Sequence, residues 1–195
     1  MTDQPTIIVS GLPRSGTSMM MQMLAAASIE PLTDNHRTPD PDNPKGYYEH
    51  QAIKALARDP SPLLNASGKA AKVIHRLLAH LPDGPTYAII FLHRDIDQVL
   101  ASQSAMLERL NRSGAKLDTA RLAVLYQNEI AAALTNARAR PNTHLLELTH
   151  ADVLADPTNA ATQLTEFFAT LPNWPHPLDP AAMARAVDPK LHRQK

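Results

Sequence analysis

The sequence predicts an α/β fold, a three-layer sandwich with a central parallel sheet and helices on both faces. Three observations carry that expectation. Residues 6–10, 70–74 and 87–92 are apolar on consecutive positions, with Thr6, Ser10 and Lys72 excepted, as strands buried on both faces are, whereas half-exposed strands alternate. Segments without breakers or with near-helical apolar spacing stand between them, so strand and helix alternate along the chain, the order that builds parallel sheets. The first strand also runs directly into a short glycine-bounded loop and a helix.

Each element follows from local composition. Residues 6–10 are β-branched and stop at Gly11, and residues 17–27 are rich in Met, Leu and Ala, as a buried helix is. Residues 33–48 hold five Asp or Asn and three Pro, which favour turns and disfavour helix, so they form a loop long enough to suggest function. Residues 70–74 and 87–92 give the second and third strands. Residues 96–110 carry apolar side chains at 96, 99, 100, 106, 107 and 110, and Ser113-Gly114 breaks that helix before a second one at 118–139, with Asp118 as its N-cap. A strand at 143–148 and a helix at 158–170 complete the alternation. Seventeen prolines against six glycines cluster at 31–44 and 172–180, where stiff extended loops are expected.

Composition narrows the function. A chain of 195 residues fits one domain, residues 1–195, able to bury roughly 70% of its unfolded surface. Lys plus Arg equals Asp plus Glu at 19 each, so nothing favours a nucleic-acid partner or an acidic membrane surface. With no cysteine, disulfides and thiolate chemistry are excluded, and a cytoplasmic location is the expectation. The N-terminal residues lack a basic segment and a long apolar run, so neither a signal peptide nor a membrane span is expected. The sequence sets no oligomeric state, and a homodimer is compatible with it.

The chemistry concentrates in Gly11-Leu12-Pro13-Arg14-Ser15-Gly16-Thr17-Ser18, placed between strand and helix, where successive backbone N–H groups make an anion cradle. Against the triphosphatase pattern GxxxxGK[ST], both glycines are in place, but Thr17 stands at the lysine position and the charge has moved to Arg14. The third strand ends in His93-Arg94-Asp95, without the usual metal-binding aspartate at its last residue. Residues 7–18 resemble the 5′-phosphosulfate loop of sulfotransferases, in particular the bacterial and tyrosylprotein branches with arginine in the loop. Arg94 and Ser102, eight apart, are similar to the family's 3′-phosphate pair, and residues 144–157 to its late strand and following helix.

The resemblance implies a P-loop NTPase-like fold and an enzyme that uses 3′-phosphoadenosine 5′-phosphosulfate (PAPS), without metal, and releases 3′-phosphoadenosine 5′-phosphate (PAP). Pro13, Arg14, Ser15, Gly16, Thr17, Ser18, Arg94 and Ser102 would then hold the donor. The family's C-terminal RKGxxGDWK-type motif is missing, and the basic Lys190 and Arg193 stand as its replacement or as a solvated tail. Sulfuryl transfer needs alignment and a cation on the leaving oxygen, which points to Arg14, with Lys72 (or its rival Lys69) adding charge from the second strand. For the general base, His75 at the end of the second strand and Glu49 after the polar loop compete, with Asp34 or His36 inside the loop. The acceptor, whether a small molecule, glycan, lipid or peptide, is not written in the sequence. Tyr47, Tyr48, Met19, Met20 and Trp174 fit a core as well as an acceptor pocket. A metabolite kinase with an altered loop and a non-catalytic binder of a phosphorylated ligand are the alternative functions.

Overall fold

The computed structural model describes residues 4–34, 36, 46–109, 118–175 and 177–188. Four strands, β1 (Thr6–Gly11), β2 (Ala70–Lys72), β3 (Tyr87–His93) and β4 (Thr143–Thr149), form one sheet in the order β2-β1-β3-β4. Every pair is parallel: Val9 stands beside Lys72, Gly11 beside Leu92, and Leu92 beside Leu148. The helices are α1 (Thr17–Ala26), α2 (Ser61–Leu64), α3 (Ile96–Arg109), α4 (Thr119–Ala139), α5 (His150–Ala155), α6 (Pro157–Ala169) and α7 (Pro180–Ala186), with 3₁₀ turns at Gln51–Ala55 and His75–His80.

The consecutive apolar runs are explained by two separate cores. Ile7 and Val9 of β1 and Ala88, Ile90 and Leu92 of β3 face one side, packed with Met20, Met23 and Leu24 of α1, Leu164 and Phe168 of α6 and Met183 of α7. Ile8, Ala71, Ile89 and Phe91 face the other, against Ile53, Leu63, Leu78 and Ala133, Leu134 and Ala137 of α4. Alternation is hidden in the sequence because both sides are dry, each buried large side chain contributing about 1.5–3 kcal/mol. The architecture is thus the three-layer sandwich that the sequence predicts. Met20 and Tyr47 are buried in it, and Met19, Tyr48 and Trp174 pack against the first core, Trp174 on the Phe168 ring at 4.7 Å. That is the core alternative for these five residues.

Several boundaries differ from expectation for physical reasons. Asp118 caps α4 as predicted, accepting from Arg121 N. The second strand ends at Lys72, earlier than residue 74, although Val73 N still donates to Val9 O at 3.0 Å. Pro180, read as part of a stiff loop, instead opens α7, since proline suits the first helical position and Asp179 caps it through Ala182 N. The short helices α2 and α7 and both 3₁₀ turns escaped the sequence reading, being one or two turns long and too brief to show a period, while α5 falls within residues 144–157, whose resemblance implied a helix after the late strand. The Ser113-Gly114 break lies outside the described residues.

Candidate functional site

In a parallel sheet all strand ends of one sense share an edge, and the candidate site residues gather at the edge that holds Gly11, Lys72 and His93. β1 has β2 on one side and β3 on the other, so connections diverge at the end of β1, the usual crevice for ligands in such sheets.

The loop after β1 is shaped by its glycines. A Cβ on Gly11 would lie 2.6 Å from Leu92 O of the neighbouring strand, and one on Gly16 would lie 2.5 Å from the His150 ring. Arg14 at φ 75° and Gly16 at φ 95° are both left-handed, which turns the chain sharply enough for backbone N–H groups to converge. Holding arginine there costs about 1–2 kcal/mol. The N-terminus of α1 has no capping side chain and no acidic residue in its first turn. Inside the loop, Ser15 Oγ is buried without a hydrogen-bond partner.

Arg94, just past β3, donates from Nη1 to Arg14 O at 2.8 Å and from Nε to Gln98 Oε1 at 3.3 Å, and its Nη2 is buried without a partner. Arg14 Nε donates to Ser102 Oγ at 2.9 Å, and Ser102, on α3, is 1% exposed. The two guanidiniums and the serine therefore meet over the loop. Burial, then the Arg14 charge, pulls Arg94 below the ordinary arginine value, with Asp95 opposing them. Two half-buried like charges with an unmet N–H and an unmet hydroxyl form a cradle suited to a polyanion. Arg94→Ala is expected to weaken PAP binding by roughly 2–3 kcal/mol, because a charge-assisted partner is lost. Calorimetry on a variant with unchanged thermal midpoint checks it; a lower midpoint with unaltered affinity would make Arg94 structural.

From β2, Lys72 Nζ donates to Ser18 Oγ at 3.0 Å and to Tyr47 O at 3.1 Å, and lies 3.8 Å from Glu49 Oε1. Glu49 Oε2 is 3.6 Å from Lys54 Nζ. Lys72 thus reaches the first turn of α1 at Ser18, with Glu49 beside it. Lys69, the rival cation, is at the other end of β2, bound to Glu30 at 2.6 Å.

His75 opens a 3₁₀ turn three residues beyond β2 and is 2% exposed, so it does not sit on the strand end. Its Nε2 is 2.8 Å from Glu129 Oε2 of α4, which also pairs with Arg76, and its Nδ1 is buried without a partner. Burial raises the Glu129 pKa, but Arg76 and His75 outweigh it and hold the carboxyl below its ordinary value. Asp34 binds backbone N–H groups of Gln51 and His36. Pro13 is exposed, its carbonyl accepting from Gln103 Nε2 at 3.3 Å, while Gln103 Oε1 accepts from Tyr126. That support of the loop by α3 and α4 was missed; only the adjacency of Gln103 to Ser102 signals it. The packing of His150 on Gly16 was missed too. Lys190 and Arg193 lie outside the described residues. Among the described residues no group of three His, Asp or Glu is placed to hold a metal ion.

Residues 47–175 match the profile of the Sulfotransferase family, a span that holds Glu49, Lys72, Arg94 and Ser102 but begins after the loop. No curated protein matches the chain. Its fold is similar to that of retinol dehydratase, solved in complex with androsterone and inactive cofactor PAP, with a TM-score of 0.54 and 16% identity over 94% of this chain. The chain spans 63% of that protein's length. It is also similar to a sulfotransferase from Alicyclobacillus acidocaldarius, with a TM-score of 0.53 and 15% identity over 92% of this chain and 88% of that one. At such identities the likeness is one of fold, an α/β sandwich around a parallel sheet.

Proposed function

The chain belongs to the sulfotransferase family, and from that premise we propose that it transfers a sulfuryl group from PAPS to a hydroxyl or amine acceptor, releasing PAP. The observation that carries this reading is the cradle itself: Arg14, Arg94, Ser102 and Lys72 converge on the loop, where Ser15 Oγ and Arg94 Nη2 lack partners. PAP in the retinol dehydratase structure supports the same donor. Residues 1–195 are read as one sulfotransferase-like domain of the cytoplasm. No helix among the described residues is long and apolar enough to cross a membrane.

The donor supplies an activated sulfuryl group on a nucleotide leaving group. The N–H groups of residues 15–18 bind its 5′ end, and Arg94 with Ser102 takes the 3′-phosphate. Arg14 and Lys72 stabilise charge on the bridging oxygen as the S–O bond breaks. Glu49 is the base: its carboxylate takes the acceptor proton while the acceptor oxygen or nitrogen bonds to sulfur, and the electrons of the broken bond stay on the 5′-phosphate. Glu49 is preferred to His75 because it lies beside Lys72, which reaches Ser18 of α1, whereas His75 is enclosed and committed to Glu129.

PAP is expected to bind at least tenfold more tightly than ADP in calorimetry, without magnesium. A tenfold ratio asks only about 1.4 kcal/mol of the 3′-phosphate. Equal affinities would remove the 3′-phosphate site, and magnesium-dependent ATP binding would instead support the kinase alternative.

A further inference from the structure

Glu49 follows Tyr48, whose φ of 52° is left-handed, a conformation that for a bulky residue persists only where neighbours impose it. The neighbours that do so come from residues 31–34. Thr33 Oγ1 donates to Glu49 O at 2.9 Å, and Asp34 N donates to the same oxygen at 3.4 Å. Two residues on, Gln51 N donates to Asp34 Oδ2 at 2.5 Å, at the start of the 3₁₀ turn Gln51–Ala55. The backbone is therefore gripped immediately after the Glu49 side chain. On its other flank, Lys72 Nζ holds Tyr47 O.

The gripping segment is itself anchored to the sheet. Leu32 N donates to Ala70 O at 2.7 Å and Ala70 N donates to Glu30 O at 2.9 Å, so residues 30–32 run alongside β2. The same short strand thus supplies Lys72 to the Glu49 carboxylate and, through Leu32, the anchor for its backbone. A loop that only closed a chain connection would not need a strained tyrosine held between two such fixings.

We propose that Thr33 and Asp34 are positioning residues that aim Glu49 at the acceptor, an inference that rests on Glu49 being the base. Asp34 suits a strut and not a second base. The Gln51 N–H above all, opposed by partial burial and aided by the backbone and side chain of His36, lowers its pKa to about 2. A depressed carboxylate contributes above its ordinary range and loses that contribution only as pH falls through about 2, so the strut is intact wherever the enzyme is assayed.

The test is PAP release from PAPS, with water as default acceptor and 2-naphthol added as probe, in single and double variants. Asp34→Ala is expected to lower kcat about 10- to 100-fold, the scale of a misplacement near 1 Å, with PAP affinity unchanged within about twofold. Asp34→Asn, which keeps an acceptor for Gln51 N, restores most of the rate. Thr33→Val should show a smaller loss that Thr33→Ser repairs, which guards against Asp34→Ala failing to fold. In a Glu49→Gln background, Asp34→Ala should cost less than about threefold more, because the two act as one unit. The same factor in both backgrounds, or PAP affinity falling together with kcat, would overturn the proposal alone. Full activity of Glu49→Gln would overturn the base assignment and this proposal with it.

Discussion

Arg14→Ala is expected to lower turnover about 10²- to 10³-fold while PAP binding weakens by less than about tenfold, since removing one preorganised donor from a developing oxyanion typically costs that much. The asymmetry follows from timing. PAP has already lost the sulfuryl group, so it measures the ground-state hold on the nucleotide, whereas Arg14 is assigned to charge that grows on the bridging oxygen. The structure adds a contact that the sequence did not anticipate, Arg14 Nε to Ser102 Oγ, which ties the residue assigned to the leaving oxygen to one assigned to the 3′-phosphate. Alanine is the right replacement because it keeps the left-handed backbone cost that Arg14 already bears at φ 75°, while glycine would relieve it and confound the reading. Isothermal calorimetry with PAP and steady-state turnover of PAPS measure the two quantities. Losses of equal size would make Arg14 a binding residue of the donor and nothing more.

The parts of this molecule legible in its sequence are those that depend on near neighbours. β1 and β3 announce themselves because a strand dry on both faces keeps its central positions apolar, as Ile7, Ile8 and Val9 and residues 88–92 are. The loop is legible because Gly11 and Gly16 are needed where Leu92 O and His150 come too close for a Cβ. Arg94 and Ser102 are paired in the sequence by their resemblance to the family's 3′-phosphate signature, whereas in the structure Arg94 contacts Gln98 and Ser102 accepts from Arg14. What the sequence withheld were partnerships across the chain. Nothing local says that His75 will face Glu129, 54 positions away, and not the ligand edge. Nor does anything show that the carboxylate of Asp34 will bind backbone while Glu49 stands beside Lys72. Both acids lie in a polar, proline-rich stretch, where composition predicts a loop and is silent on its course. Proline misled at residue 180, where the same fixed φ that stiffens a loop also opens α7.

Glu49→Gln should lose about 10²- to 10⁴-fold in turnover and keep its affinity for PAP, the range expected when a positioned base is removed. Glutamine preserves the shape and one acceptor oxygen but cannot take a proton, so the loss isolates proton transfer from packing. Because a base works only when deprotonated, the parent enzyme's rate falls toward acidic pH, and that acidic limb should disappear in Glu49→Gln. His75→Ala is the necessary contrast, and its expected phenotype is different in kind. It would leave Glu129 paired with Arg76 alone and open a cavity between the 3₁₀ turn His75–His80 and α4, so thermal stability should drop by about 1–3 kcal/mol. Turnover per folded molecule should change little and the acidic limb should remain. Should His75→Ala lose the limb and the rate while Glu49→Gln keeps both, the base is the enclosed histidine, and its unpartnered Nδ1 is where the acceptor must arrive. If both variants keep full turnover and the limb, an amine acceptor that loses its proton to water becomes the reading, and the acceptor panel should then begin with amines.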